Sequence, residues 1–260
     1  MYRRYHRREF VSPDPLQFLY GYASPRDREI AGIVAACLAY GRVSQIVKST
    51  AVVLNRLGPQ PSDFLQNASL QELRLLFTGF RHRFATGAEL GLLLGALKRL
   101  ISDYGSLYNC FLAAEAPGSH SVVPALGGLV DAIKDRAGGL ECHLLPSPAR
   151  GSACKRLHLF LRWMVRSDDV DPGGWSGISP AKLIIPLDTH MHRIGSALGF
   201  THRRQADIKT ALEITEGFRM LAPEDPVRYD FALTRPGIRN DPAGNRLLAG
   251  LYHMKGADRT

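Results

Sequence analysis

The sequence predicts an all-α protein, on three observations. Helix-start signatures recur along the chain and are separated by short connections. No stretch shows the sustained period-two alternation of β-branched residues that half-buried strands would produce. The chain has 260 residues, 45% of them hydrophobic, which is enough for a sizeable core. We therefore expect helices packed into one two-lobed unit or two small domains.

The N-terminal half supplies most of the helix-start signatures. Ser24 at the N-cap and Pro25 at the first helical position begin a helix that ends near Gly41. Asp27 and Glu29 make the first turn of this helix acidic, which favours the positive end of the helix dipole. Further helices are predicted over residues 12–22, 43–57, 103–114 and 122–136, and from the capping boxes Ser69–Glu72 and Thr86–Glu89.

The C-terminal half continues the helical pattern. An amphipathic helix is predicted from Asp207 to Leu221, and Asp225 with Pro226 begins another that Pro236 ends. The tail from Arg239 is polar, and we expect it to be partly loose. Asp168, Asp169 and Asp171 lie in a Gly-rich loop over residues 167–179. They predict a solvated turn rather than a calcium loop, because the terminal glutamate of such a loop is missing.

Composition narrows the class of protein. The net charge is +9 and the pI near 9.6, which favours a polyanionic partner such as nucleic acid. We expect no membrane span, since no run of eighteen apolar residues occurs, and no secretory signal, since the basic start lacks an apolar stretch. Four cysteines occur without a CxxC pair, at positions 37, 110, 142 and 154. This spacing predicts free thiols in a cytoplasmic protein with no metal, cluster or cofactor.

Residues 151–193 contain the strongest functional signal. Lys155, His158, Arg162 and Arg166 follow one another at steps of three and four, so they predict one cationic helix face. Asp188 then precedes a second short helix, in the N-cap position, where first-turn N–H groups keep a carboxylate ionised. An amine and a carboxylate at two helix starts are the groups that imine-forming base excision requires.

This segment resembles the helix-hairpin-helix DNA glycosylase superfamily. The resemblance lies in a lysine that enters a helix, followed by an aliphatic-Pro-x-Asp-x-x-x-x-Arg-Ile segment over residues 185–194. Lys155 and Asp188 are 33 positions apart, which is nearest in pattern to the archaeal 8-oxoguanine glycosylases. The full chain also resembles an uncharacterised conserved bacterial family. The resemblance implies two helical lobes with a cleft between them: a barrel over residues 30–185, and a lobe of residues 1–29 and 186–260.

The implied reaction is base excision followed by strand cleavage. Lys155 would form a Schiff base with the sugar, and Asp188 would stabilise the positive charge that develops as the base departs. The amine must be neutral to attack, and like-charge repulsion from the rest of the cationic face favours its deprotonation. Lys182 is the rival nucleophile. The implied substrate is double-stranded DNA with an oxidised purine such as 8-oxoguanine, and we expect a monomer associated with the nucleoid.

Two further segments are expected to contact DNA. The turn over residues 38–46 occupies the place where these glycosylases insert a side chain into the base stack, and Tyr40, Arg42 and Gln45 are the candidates. An ordinary helix corner explains the turn equally well. Residues 140–152 stand where the hairpin belongs, but Ser147 and Ala149 replace its two glycines. Arg150 and a helix start at 151–152 would then be left to hold a phosphate.

The complete set of predicted site residues is as follows. Catalysis is assigned to Lys155 and Asp188, and DNA contacts to Arg42, Gln45, Arg150, Gly151, Ser152, Arg156, Arg162, His190 and Arg193. A base pocket is assigned to Tyr40, Trp175 and Asp230, although a lone Trp in a loop also suits a plug between two lobes. Two other functions remain open, namely a DNA-structure-binding protein without catalysis and a helical protein-interaction module.

Overall fold

The protein is mostly helical, as the sequence predicts. The computed structural model describes residues 1–139 and 143–257, without the side chains of 247 and 251–257. The α-helices in chain order are α1 (Tyr2–Tyr5), α2 (Pro25–Cys37), α3 (Val43–Leu57), α4 (Pro61–Asn67), α5 (Leu70–Leu76), α6 (Gly87–Tyr104), α7 (Leu107–Ala113), α8 (Val123–Arg136), α9 (Lys155–Val165), α10 (Thr189–Ala197), α11 (Ile208–Arg219), α12 (Asp230–Arg239) and α13 (Pro242–Ala257). Short 3-10 helices cover Arg8–Phe10, Pro15–Gly21, Pro148–Arg150 and Pro180–Lys182.

One small hairpin was not predicted. Strands β1 (Arg81–His82) and β2 (Ala85–Thr86) pair antiparallel, with His82 opposite Ala85. They fall between the two predicted capping boxes, and each strand is too short to produce a period-two pattern. Both capping boxes are confirmed: Ser69 and Glu72 exchange hydrogen bonds at the start of α5, and Thr86 and Glu89 do so at the start of α6.

The centre of the fold is the packing of α2 against α9. Every residue of α2 from Glu29 onward is buried, and so is α9 apart from Lys155, Arg156 and Leu159. Gly32 of α2 permits close contact, because a Cβ there would lie 3.2 Å from the ring of Phe160 on α9. A contiguous hydrophobic core extends around this pair from Val11 to Leu248.

Helix boundaries differ from the predictions in two places. The predicted helix over 103–114 is the end of α6 and the whole of α7, because Gly105 adopts a left-handed conformation (φ 78°) that ends α6. The predicted helix from Asp225 begins only at Asp230 and continues through Pro236 to Arg239. Asp225 does not cap it but accepts hydrogen bonds from Arg166. The helix continues past Pro236 because Phe231, Ala232 and Arg235 are buried on its inner face.

The two chain ends meet. The tail, expected to be loose, forms α13, which packs against α10 and α12. At the other end α1 packs against α12, and Tyr5 donates a hydrogen bond to Asp241. The 3-10 helix Pro15–Gly21 instead packs against α2. The division into a lobe of residues 30–185 and a lobe of both ends stays a prediction.

Candidate active site

Lys155 and Asp188 lie side by side. The Lys155 Nζ atom is 3.3 Å from Asp188 Oδ2, and their side chains are 37% and 16% exposed. Lys155 is the first residue of α9, and Asp188 is the N-cap of α10, where its Oδ1 accepts a hydrogen bond of 2.8 Å from the Met191 N–H. The predicted cap is confirmed. Asp188 therefore presents one oxygen to its helix and the other to the amine.

The pair opens onto a cleft of about 640 Å³. This volume is in the range of pockets that hold small organic ligands. The cleft is lined by residues of the 38–46 turn, of the segment before α9, of α9 itself, of the start of α10 and of α12, among them Tyr40, Gly41, Ser152, Arg156, His190 and Ile238. A second cavity of about 50 Å³ shares Lys155, Leu159 and Asp188 with the cleft and extends behind them.

Asp230 lies at the back of the smaller cavity. Its carboxylate is buried, and Arg162 donates a hydrogen bond to it. Burial raises the pKa of Asp230 to about 6, although the Arg162 charge opposes the rise, and the negative charge of Asp188 adds to it. Predicted as a base-pocket residue, Asp230 therefore lies within electrostatic reach of the Lys155–Asp188 pair, in an enclosed position.

The predicted cationic face of α9 is wrong beyond its first turn. His158 is buried, neither ring nitrogen has a hydrogen-bond partner among the described residues, and burial lowers its pKa to about 4, so it is neutral. Arg162 and Arg166 are 3% and 4% exposed and bind carboxylates, of which those of Asp171 and Asp230 are buried. Arg162 pairs with Asp171 and Asp230, and Arg166 pairs with Asp168, Asp171 and Asp225. Their charges are thus compensated and unavailable for repulsion.

Two predicted contacts are corrected by this arrangement. Arg162, assigned to DNA binding, is an internal cation, because α9 enters the core within two turns of Lys155. The prediction of a solvated turn at 167–179 holds for Asp168 and Asp169, which are exposed, and is wrong for Asp171, which is completely buried and bridges Arg162 and Arg166. An acidic turn and a basic helix face, predicted separately, form one ion network around the buried Asp171.

Trp175, proposed to stack on an extruded base, is also corrected. It is 1% exposed and does not line the cleft. Its ring packs against Tyr108, Phe111 and Phe160, and its Nε1–H donates to Glu29 at 3.1 Å. It is a core residue that attaches the 167–179 loop to α2, α7 and α9, and the alternative interpretation as a plug between two lobes stays a prediction.

The burial of Glu29 was not predicted from the sequence. In the sequence it is an ordinary acidic residue of a first helical turn, yet it is 2% exposed. It accepts hydrogen bonds from the N–H groups of Leu107 and Tyr108 at the start of α7, besides that of Trp175. Burial raises its pKa to about 7, with the three hydrogen bonds acting in the opposite direction. No local pattern distinguishes it from a solvated acid.

The 38–46 turn forms one wall of the cleft. Tyr40 lines it, donates its hydroxyl to the His82 carbonyl and lies under the Arg156 guanidinium, 4.8 Å from the ring centre. Arg42 and Gln45 are exposed at the start of α3, and Gln45 donates to Ser49. The structure thus brings Tyr40 to the cleft, with Arg42 and Gln45 on the adjoining surface.

The segment before α9 does not begin a helix at 151–152. Gly151 ends a 3-10 helix in a left-handed conformation, and Ser152 forms an isolated bridge with Asp207. The Gly151 carbonyl accepts from Ile208 N–H at 3.2 Å, so this segment is tied to α11. Arg150 is exposed, whereas positions 140–142, including Cys142, lie outside the described residues.

The remaining predicted contacts are distributed around the cleft. Arg156 is half-buried and donates to the carbonyls of Cys37 and His143, which makes it a tie between α9 and the cleft wall. His190 lines the cleft on α10, and Arg193 is exposed one turn further on. Across the described residues, no group of three His, Cys, Asp or Glu side chains is placed to hold a metal ion.

No helix in the described ranges is long and apolar enough to cross a membrane.

Comparison with known proteins gives a family for the chain. No curated protein and no solved structure matches the sequence. A family model with the description "Protein of unknown function (DUF2400)" matches residues 14–239, which include the cleft, both members of the Lys155–Asp188 pair and the buried ion network. The chain belongs to this family.

Proposed function

We propose that the protein is a DNA glycosylase with AP lyase activity, in which Lys155 is the nucleophile and Asp188 assists departure of the base. The observation that carries the proposal is the 3.3 Å contact between Lys155 Nζ and Asp188 Oδ2 at the edge of a 640 Å³ cleft. The amine is partly exposed and able to reach a sugar in the cleft. The carboxylate is oriented by its bond to the Met191 N–H, so it need not reorganise during reaction.

The steps follow from the two groups. As the glycosidic bond breaks, its electron pair leaves with the base, and Asp188 stabilises the cationic sugar. The Lys155 amine attacks C1′ and loses a proton, for which the neighbouring carboxylate is the acceptor at hand. The C1′–O4′ bond then breaks, with O4′ taking the proton held by Asp188, which opens the ring and gives an iminium ion between Nζ and C1′. Loss of a C2′ proton then breaks the C3′–O bond and cleaves the strand.

DNA as the substrate is supported by charge. The chain carries a net charge of +9, and the exposed Arg42 adjoins Gly41 and Val43, which line the cleft, whereas Arg162 and Arg166 are paired with carboxylates. Surface cations of this kind bind phosphates and release counterions. An oxidised purine such as 8-oxoguanine is proposed on the resemblance to archaeal glycosylases alone. We also propose a monomer that associates with the nucleoid.

Borohydride trapping on lesion-containing and abasic duplexes tests the proposal. Wild type should give a covalent adduct and Lys155→Gln none, while binding of the same duplexes persists. Lys182→Gln is the matched control, because Lys182 is ion-paired with Glu115 and does not line the cleft. An adduct that persists in the Lys155 variant and disappears in the Lys182 variant would assign the nucleophile to Lys182.

Asp188→Asn separates the chemistry from the fold. The amide oxygen can still accept from the Met191 N–H, so the helix cap and the melting temperature should be nearly unchanged. Base excision should fall by about 100-fold or more, because the developing positive charge loses its partner. Unchanged excision by this variant would exclude Asp188 from the reaction.

A DNA-structure-binding protein without catalysis is the second candidate. It is favoured by the segment at 147–151, where the residues that replace the hairpin glycines form a short 3-10 helix tied to α11. Salt-dependent DNA binding by wild type without any adduct would support it. Absence of DNA binding at low salt would instead favour the protein-interaction module.

A further inference from the structure

The tip of the β1–β2 hairpin consists of Arg83 and Phe84. Since His82 pairs with Ala85, these two residues form the whole loop. Arg83 has φ 53°, the left-handed region, at the loop position where such hairpins favour glycine. Residues held in this conformation cost free energy, and they are often found where the side chain has a function. An arginine at this position therefore needs an explanation.

Buried contacts fix the hairpin against the wall of the cleft. His82 is completely buried, with its ring nitrogens within hydrogen-bond distance of Ser49 Oγ (2.9 Å) and the Tyr40 carbonyl (3.2 Å). The Tyr40 hydroxyl in turn donates to the His82 carbonyl at 2.9 Å. Arg83 lies over Gly41, where a Cβ would be 2.7 Å from the Arg83 Cδ atom. Tyr40 and Gly41 themselves line the cleft.

Phe84 projects from this fixed base. It is 61% exposed, although burial would be favourable for a ring of this size. The Arg83 guanidinium lies 5.4 Å from its ring centre, and the ring of His143 lies at 5.0 Å. Arg81, Arg83 and Arg42 are exposed, and Arg83 lies over Gly41, the neighbour of Arg42. An exposed aromatic ring beside an arginine matches the chemistry that binds an unstacked base and its phosphate.

We infer that the β1–β2 hairpin is a second nucleic-acid contact, in which Phe84 stacks on a base beside the nucleotide held in the cleft and Arg83 binds a phosphate. The inference rests on the proposed function and goes beyond it by assigning base stacking to a segment outside the 38–46 turn. The strain at Arg83 is then explained, since a glycine would relax the loop but leave the phosphate without its cation. The partner is a duplex that is opened at one position, because intact stacking leaves no free base face.

The test compares Phe84→Ala with wild type on two substrates, an abasic site in a duplex and the same site in a single strand. Loss of the stacked base should weaken binding of both substrates and lower the rate of trapping at limiting DNA by about tenfold or more. Trapping at saturating DNA should change little, because Lys155 and Asp188 are untouched. Phe84→Trp keeps an aromatic ring and should bind the duplex like wild type. Met220→Ala is the control, because it removes another exposed apolar side chain (79% exposed) and should leave binding unchanged.

Arg83→Gly tests the second half of the inference. We expect an equal or higher melting temperature, because glycine suits the left-handed position, together with weaker duplex binding and a smaller salt dependence. Equal duplex binding by wild type, Phe84→Ala and Arg83→Gly would overturn the inference. If wild type forms no adduct but binds duplexes, the proposed function fails while the binding measurements still decide the role of the hairpin. If wild type binds no duplex, both fail.

Discussion

The first turn of α9 and the two turns that follow it differ in what surrounds their basic residues. Lys155 is 37% exposed and contacts one carboxylate at the edge of a cleft. Arg162 and Arg166, seven and eleven residues later in the sequence, are nearly inaccessible and bind four carboxylates between them. The distance from Lys155 to Arg162 along the helix axis is only about 10 Å.

The difference follows from where the helix enters the core. At its start, α9 borders the cleft, so a cation there can be solvated and meet a ligand. Within two turns the helix is packed against α2, where an uncompensated guanidinium would be very costly. Each inner cation therefore has carboxylates from other segments, namely Asp168 and Asp171 from the loop, Asp225 before α12, and Asp230 on it. The charge of Lys155 is thus available in the site, whereas the charges of Arg162 and Arg166 bind carboxylates within the fold.

The largest expected effect is on the fold, from removal of the central carboxylate. Asp171→Asn should lower the free energy of unfolding by about 3 kcal/mol or more, because it leaves Arg162 and Arg166 buried with less compensating charge. Asp169→Asn, in the same loop but exposed, should change it by less than about 0.5 kcal/mol. Urea denaturation of the two variants measures this. Equal stability of the two would mean that the network adds nothing to the fold.

A smaller effect is expected from His158, which lies between the two regions on the same helix face. Its pKa is lowered to about 4 by burial, so the folded state resists protonation below the unfolded pKa of about 6.5. The stability contributed by neutral His158 is present above pH 6.5 and is lost as the pH falls toward 4. Lowering the pH from 7 to 4 should therefore destabilise wild type relative to His158→Leu by about 3 kcal/mol.

The comparison with His158→Leu separates His158 from the other buried groups that titrate. Glu29 and Asp230 have raised pKa values, of about 7 and about 6, so the stability that they contribute is lost as the pH rises. Both remain in the His158→Leu variant and cancel in the comparison with wild type. Thermal melts of both proteins across this pH range provide the measurement. Parallel stability curves for the two proteins would show that burial does not shift the pKa of His158.

How much was predictable depends on whether the determining contacts are local. The caps at Ser69, Thr86 and Asp188 were read correctly, because a cap involves residues only two or three positions apart. The proximity of Lys155 and Asp188 was expected from a family pattern, not from spacing. The burial of Arg162, Trp175 and Glu29 was not predictable, since these residues have hydrogen-bond partners up to 146 positions away in sequence. The hairpin at 81–86 was missed because two-residue strands have no periodicity.

The smallest expected effect concerns the exposed cations near the cleft. Arg42 is exposed beside the 38–46 turn, so Arg42→Gln should leave the melting temperature nearly unchanged. If its guanidinium binds a phosphate, the variant should reduce the slope of log binding constant against log salt concentration by about 0.9. Arg74→Gln is the matched control, because Arg74 is exposed on α5, which does not line the cleft. Anisotropy titrations of a fluorescent duplex at several salt concentrations measure both slopes.

A smaller slope for the Arg42 variant alone would show that the surface cation binds the ligand, whereas the buried cations stabilise the fold. An equal reduction for both variants would mean that the positive surface attracts DNA without a defined binding side.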